Sequence, residues 1–218
     1  PQRNFVRTAL LAFAMCMGLN GAQAAAPFVA SDCPGDGRTD ATACLQRAID
    51  SSQNVVLPPG RKFLVTTSID VAGPKALDGN GSAIVTDEQI NVVTIRGSDV
   101  KIHGWTGEAR TNSRAQGIML ADDAANIELR DNRVLGPFRV GILFGGPGEH
   151  DITLVGNTIA PGPDGRIGYG VLVNPARLAR NSSNPPRNIV FRKNTISEAW
   201  GDAIEINSPP PAIVSGLI

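Results

Sequence analysis

Aromatic residues are scarce: seven Phe, two Trp and one Tyr make up 5% of 218 residues. Glycine and proline, at 24 and 16 residues, are plentiful instead. That balance argues against a helical bundle and suits an all-β chain with many turns. Net charge is lacking too. The 20 basic and 20 acidic residues cancel, so nothing points to nucleic acid or an anionic membrane as a partner. There are three cysteines and two histidines. His103 and His150 stand far in sequence from Cys33 and Cys44, which speaks against a Cys–His nucleophile pair. The chain is long enough for one sizeable core, or one domain with a tail.

The one notable apolar run, Ala9 to Leu19, falls short of the ~20 residues a membrane span needs. Arg3 and Arg7 precede it and Ala22-Gln23-Ala24 follows. A positive start, an apolar stretch and a small-x-small site predict an export signal over residues 1–24. Cleavage after Ala24 is preferred because Pro27 directly after a cut is awkward. Met15 before Cys16 spoils a lipoprotein-type site. The mature chain is then expected to be secreted or periplasmic, with no membrane contact once the signal is removed. Two cysteines remain, and an even remainder in an exported protein favours a structural disulfide, Cys33 to Cys44, over two separately buried thiols.

What is present is a repeat. Asn126-Ile127-Glu128-Leu129, Asn132, Val134 and Gly141-Ile142-Leu143-Phe144 form one copy. His150-Asp151-Ile152-Thr153-Leu154, Asn157, Ile159 and Gly170-Val171-Leu172-Val173 form the next. Asn188-Ile189-Val190-Phe191, Asn194, Ile196 and Ala203-Ile204-Glu205-Ile206 form a third. Upstream, Val100-Lys101-Ile102 with Gly117-Ile118-Met119-Leu120 is a fourth, with Trp105 in place of the asparagine, and Leu77 with Val92 to Ile95 is a looser fifth. Short alternating apolar stretches at this period are the mark of a coiled β-solenoid. Ile118 to Ile142 is 24 residues and Ile127 to Ile152 is 25, one turn of a three-sheet coil. Ile152 to Ile189 is 37, so that turn carries an insertion at Pro175 to Arg187.

The alternation assigns directions. Ile127 and Leu129, Ile152 and Leu154, Ile189 and Phe191 share parity and are expected to stack inward, with Glu128, Thr153 and Val190 outward. Asn132, Asn157 and Asn194 fall at one turn, where stacked amides can satisfy successive coils. Before the repeats, Ala41, Leu45, Ala48 and Ile49 recur at helical spacing over 41–52, with Thr39 or Asp40 as N-cap after a turn cluster at 35–40. Short strands are expected at Val55-Val56-Leu57, Phe63-Leu64-Val65 and Ser68 to Val71. The helix would cover an open solenoid end. The organisation expected is signal 1–24, cap 25–54, solenoid 55–208 and tail 209–218.

The chain at this point resembles the pectate-lyase-like superfamily of right-handed parallel β-helix proteins. The likeness rests on Gly35-Asp36-Gly37-Arg38-Thr39-Asp40 through Ala48-Ile49-Asp50, on Val56-Leu57-Pro58-Pro59-Gly60, and on the repeats. It implies an all-β fold, a three-sheet right-handed parallel β-helix with an N-terminal capping helix. It also implies a polysaccharide as partner, with the ligand along the sheet that carries Ile118, Ile142, Val171 and Ile204. Members differ in chemistry, from hydrolases and lyases to non-catalytic adhesins.

The outward residues of that sheet are Met119, Leu143, Leu172 and Glu205. Asp202 stands three residues before Glu205, in Trp200-Gly201-Asp202-Ala203-Ile204-Glu205. Glycoside hydrolysis needs two carboxylates, roughly 5 Å apart for retention or 6.5–9.5 Å for inversion. Residues three apart on a straight strand lie roughly 10 Å apart and differ in parity. The pair therefore requires Asp202 to sit in a bend, which Gly201 allows. The segment is similar to the Gly-Asp-Asp-Cys-Ile-Ala-Ile stretch of polygalacturonase-like hydrolases, where Asp202 matches the first aspartate and Ala203 replaces the second, and more closely to a Gly-Asp-Ala-Ile-Glu stretch of tailspike-like depolymerases. The expected reading is glycosidic cleavage with Asp202 as acid and Glu205 as second carboxylate, against non-catalytic binding. A lyase or epimerase would instead use His150 as base and Arg166 for the enolate-like intermediate. Arg139, Arg166, Arg177 and Arg180 are candidates to pair with uronate carboxylates, and Tyr169 and Trp200 to stack on sugar rings. No cofactor is expected, save Ca²⁺ at Asp122-Asp123 in a lyase.

Overall fold

The computed structural model describes residues 28–111, 114–121, 123–162, 166–173, 186–207 and 214–215. The expected signal at 1–24, Asp122, Arg177, Arg180 and all of the insertion before residue 186 lie outside the described residues, as does most of the tail. No described helix is long and apolar enough to cross a membrane.

Three parallel sheets wrap one core. Sheet A contains Phe28–Val29, Asn54–Val56, Lys75–Asp78, Ser98–His103, Ala125–Arg130, His150–Val155, Arg187–Arg192 and Val214–Ser215. Sheet B contains Asp36–Asp40, Lys62–Leu64, Ala83–Thr86, Thr106–Ala109, Arg133–Leu135, Thr158–Ala160 and Thr195–Ile196. Sheet C contains Ile69–Ala72, Asn91–Arg96, Gln116–Leu120, Val140–Phe144, Tyr169–Val173 and Ile204–Ile206. The chain visits A, B and C in turn, so the described residues make six complete coils. The repeat pattern showed five. The additional first coil, Asn54–Val56, Lys62–Leu64 and Ile69–Ala72, is made of the three short strands expected upstream of the repeats; it falls outside the repeat template because Pro58-Pro59-Gly60 occupies its first turn.

The inward columns follow the parity rule. Ile127 pairs in register with Ile152 and Ile189, and Leu129 with Leu154 and Phe191, all buried. The buried asparagines satisfy one another in the expected amide ladder. Asn132 Nδ2 donates to Asn157 Oδ1 at 3.1 Å, and Asn157 Nδ2 donates to Asn194 Oδ1 at 2.9 Å. The same oxygens accept the backbone N–H of Asn132 and Asn157, while the amides also reach the carbonyls of Ile102, Leu129 and Leu154. Every ladder group therefore has a partner one coil away, which is what lets buried amides persist.

Asp99, Asn126, Asp151 and Asn188 form a second, exposed ladder. All four have positive φ, between 52° and 63°, a region Asn and Asp tolerate best among non-glycine residues. Asn126 Nδ2 donates to Asp99, and Asn188 Nδ2 to Asp151 at 2.9 Å. Alternating amide with carboxylate avoids stacking like charges.

The glycines near the start of the sheet C strands have a steric cause. A Cβ on Gly141 would lie 2.5 Å from Ile159 Cγ2 and 2.6 Å from the Gly170 carbonyl oxygen; one on Gly117 would lie 2.4 Å from Val134 Cγ1. The inner column of sheet B thus presses against the second residue of these sheet C strands.

At the N-terminal end the expected turn at 35–40 is instead a strand of sheet B with a register shift between Asp36 and Asp40. The Asp36 carboxylate accepts from the N–H groups of Arg38 and Thr39 and from the Thr39 hydroxyl, each at 2.8 Å. Those bonds, the Thr39 N–H foremost, lower its pKa to about 2. The helix spans Thr42–Ser51, so its N-cap position is Ala41 rather than Thr39 or Asp40. Asp40 still caps it, accepting the Thr42 N–H at 2.9 Å and the Thr42 hydroxyl, and its carboxyl is lowered chiefly by that hydroxyl. Leu45, Ala48 and Ile49 face the core. The helix packs on Phe28–Val29, Lys62–Leu64 and Ile69–Ala72, and the Cys33–Cys44 disulfide ties it down.

Candidate functional site

The outward column of sheet C runs Asp70, Thr94, Met119, Leu143, Leu172, Glu205 in register. Thr94 and Leu172 are buried and Met119 and Leu143 half-buried, so the column is largely covered. Ser68 shares a hydroxyl–hydroxyl hydrogen bond with Thr94 at 2.8 Å, and Asn91 Nδ2 reaches Met119 Sδ at 3.0 Å. The face where a ligand was expected to lie is therefore only partly open over its apolar middle, closed at Leu172 and half-buried at Met119 and Leu143.

The open ground is the corner where sheet B turns into sheet C. Arg139 precedes Val140–Phe144, and its carbonyl accepts the Tyr169 N–H at 3.0 Å. Arg166 precedes Ile167, which bridges to Ala199 one coil on. Trp200 N donates to Ile167 O at 2.8 Å and Gly201 N to Gly168 O at 2.7 Å, which holds the bend of the last coil against the one below. Gly201 is needed there: a Cβ would lie 2.7 Å from the Tyr169 ring.

Arg139, Arg166 and Trp200 line one cleft of about 390 Å³, over a floor of Phe138 and Ile167 with Pro137 and Gly168 at its sides. Phe138 and Ile167 are buried, whereas Trp200 is 80% exposed. Neither arginine makes an ion pair with a described residue. Of the six expected binding residues four are described; three of them share a cleft, and the fourth, Tyr169, supports the bend that carries Trp200.

Asp202 lies in that bend, before the strand begins at Ile204, and is exposed. Its carbonyl accepts the Gly170 N–H at 3.2 Å. Because it is outside the strand, strict alternation no longer forces its side chain away from Glu205. Glu205 is half-buried at the end of the outward column and accepts a hydrogen bond from Asn207 Nδ2.

His150 is elsewhere. It opens a sheet A strand, with Nδ1 2.8 Å from Gly148 O and Nε2 3.8 Å from Asp151. Arg166 stands before a sheet C strand and His150 follows one, so a five-residue strand, roughly 16 Å long, separates the two positions along the coil. Among the described residues no group of three or more His, Cys, Asp or Glu gathers. Asp123 sits in a left-handed turn, its N–H donating to Pro147 O at 3.0 Å. The residues that sequence reasoning missed are the apolar floor, Phe138 and Ile167. Both lie in unequal turns outside the template.

No protein-family profile matches the chain, and no curated protein matches it. Solved structures do. The surface adhesin PfbA of Streptococcus pneumoniae is similar over 78% of this chain and 56% of its own, at 14% identity and a TM-score of 0.52. ORF18 of Geobacillus virus E2 is similar over 83% of this chain and 50% of its own, at 16% identity and a TM-score of 0.50. The chain spans about half the length of these structures. The likeness is one of fold.

Proposed function

We propose that this chain is an exported, carbohydrate-recognising β-solenoid of the pectate-lyase-like type, and that the corner cleft binds an acidic polysaccharide. One observation carries the reading: Trp200, 80% exposed, stands beside two arginines that form no ion pair with a described residue, over an apolar floor. A bare indole offers a flat apolar face to the C–H side of a sugar ring, and a guanidinium fork grips a carboxylate through paired hydrogen bonds. The Cys33–Cys44 disulfide supports an oxidising compartment. The shared fold with a surface adhesin fits such a role. The test is retention on immobilised uronans against neutral glycans. Wild type retained by uronans and lost with Trp200→Ala supports the reading; equal passage of both proteins refutes it.

A second reading is cleavage of the bound glycan, favoured by the position of Asp202 in the bend beside Trp200. Asp202 would donate a proton to the glycosidic oxygen and Glu205 would serve as the second carboxylate. New reducing ends on incubation with uronans mean hydrolysis, and Asp202→Asn should abolish them. Equal activity in Asp202→Asn sinks the assignment. Unsaturated uronate absorbance would mean a lyase, whose candidates His150 and Arg166 the fold keeps apart.

A further inference from the structure

The corner cleft does not stop at Pro137. That residue also lines a wider groove of about 650 Å³ on the outer face of sheet B, floored by Leu135, Ala160 and Pro161, with Glu108, Arg110 and Arg133 at its rim. The volume falls within the roughly 300–1,000 Å³ typical of ligand sites. Polar rim groups over an apolar floor are the composition such sites share.

The groove begins where a covering ends. The outward positions Leu64, Val85, Glu108, Leu135 and Ala160 form one register column of sheet B. Val85 is fully buried. Above it Lys62 pairs with Glu108 at 3.1 Å, and Arg110 donates to the Gly37 carbonyl at 2.6 Å while lying 3.7 Å from Asp87. These bonds hold Glu108 and Arg110 as a fixed wall. Beyond the wall Leu135 and Ala160 are half-buried and uncovered by any such bridge. Arg133, exposed on the next strand, makes no ion pair with a described residue.

Charge decides what fits. Glu108 is matched by Lys62 and Arg110 by Asp87, so among the described residues the charged groups along cleft and groove that form no ion pair are Arg133, Arg139 and Arg166. They carry one sign, and they are spread across a corner rather than gathered at one point. An extended ligand with repeating carboxylates matches that pattern. A compact anion would engage one arginine.

We propose that the sheet B groove is a second subsite, and that an acidic oligosaccharide crosses the corner at Pro137, running around the coil instead of along sheet C. This rests on the reading of the corner cleft as an acidic-glycan site. Arg133 takes a carboxylate, and Leu135, Ala160 and Pro161 lie under the sugar face.

Calorimetric titration with oligogalacturonates from dimer to octamer, beside neutral malto-oligosaccharides of equal length, tests it. The wild type should gain about tenfold or more in affinity from the shortest acidic chain that binds to the longest, as linked subsites do. Arg133→Glu should erase that gain and leave the shortest ligand within about twofold of wild type. Ala160→Trp fills the floor without changing charge and should erase it as well. Both positions face outward, and thermal unfolding verifies each fold. Long-chain affinity unchanged in both variants, neutral chains binding as tightly as acidic ones, or no gain with length overturns the second subsite alone. No binding of any acidic chain to wild type overturns the cleft reading and this one together.

Discussion

Each of the last four coils leaves sheet A through a turn of two residues and leaves sheet B through a turn of four to eight. The short turns are nearly identical. Gly104, Asp131, Gly156 and Lys193 have φ between 53° and 67°, and each precedes Trp105 or a ladder asparagine. The long turns share no template; they carry Arg139 in one coil, Arg166 in the next and Trp200 in the last. In the asparagine turns each ladder amide is hydrogen-bonded to neighbouring coils, so loss of the middle copy strands groups in two others. In the long turns Arg139, Arg166 and Trp200 meet solvent over the buried Phe138 and Ile167, and variation of such exposed side chains leaves the stacking intact. The molecule stores stability in one corner and leaves side chains free to vary in the other.

The sharpest way to break this contrast is Asn157→Ala. Asn157 is 1% exposed and exchanges hydrogen bonds with Asn132, Asn194 and the Leu129 carbonyl. Its loss leaves several buried groups unmet, each worth about 1–3 kcal/mol, so a destabilisation of about 3 kcal/mol or more is expected in the urea midpoint. A loss below about 1 kcal/mol would mean that the ladder is decoration.

Gly141→Ala should come next. Its Cβ would meet Ile159 Cγ2 at 2.5 Å and backbone oxygen at 2.6 Å, an overpacking expected to cost about 1–3 kcal/mol. The last coil supplies the control. Ala203 occupies the matching position there and is exposed, so Ala203→Gly should change stability by less than about 0.5 kcal/mol.

In the long turns the expected order reverses. Trp200→Ala and Arg166→Ala should leave unfolding within about 0.5 kcal/mol of wild type while abolishing retention on uronans. If either variant unfolds as readily as Asn157→Ala, the corner is structural and the division between the two turns fails.

That same division explains what could be read in advance. The inward columns and the ladder were legible because they repeat: Ile127, Ile152 and Ile189 occur at one phase, and Asn132, Asn157 and Asn194 at another. The exposed ladder of Asp99, Asn126, Asp151 and Asn188 was present in the template but silent, because a left-handed φ leaves no mark on alternation. The first coil was harder to find because prolines fill its first turn. The cleft was legible only as separate residues. Arg139, Arg166 and Trp200 sit in turns of unequal length, so their meeting depends on stacking rather than spacing. The groove beside them was not legible, since Glu108, Arg110 and Arg133 read as ordinary charges until register set them on one face.

The smallest expected effect concerns pH and separates the ladder from the N-terminal segment. The ladder is built of amides and does not titrate. Asp36 does, and three hydrogen bonds to its carboxylate lower its folded pKa from 3.8 to about 2. A depressed carboxyl adds stability above its unfolded pKa and loses it as pH falls through the folded one. The unfolding temperature should therefore decline between about pH 4 and about pH 2, modestly, because the group is exposed. Asp40, lowered in the same direction by Thr42, adds to that decline. Asp36→Asn should flatten part of the slope, whereas Asn157→Ala should lower the whole curve by a similar amount at every pH. An acid slope unchanged in Asp36→Asn would show that the irregular strand it holds forms without its charge.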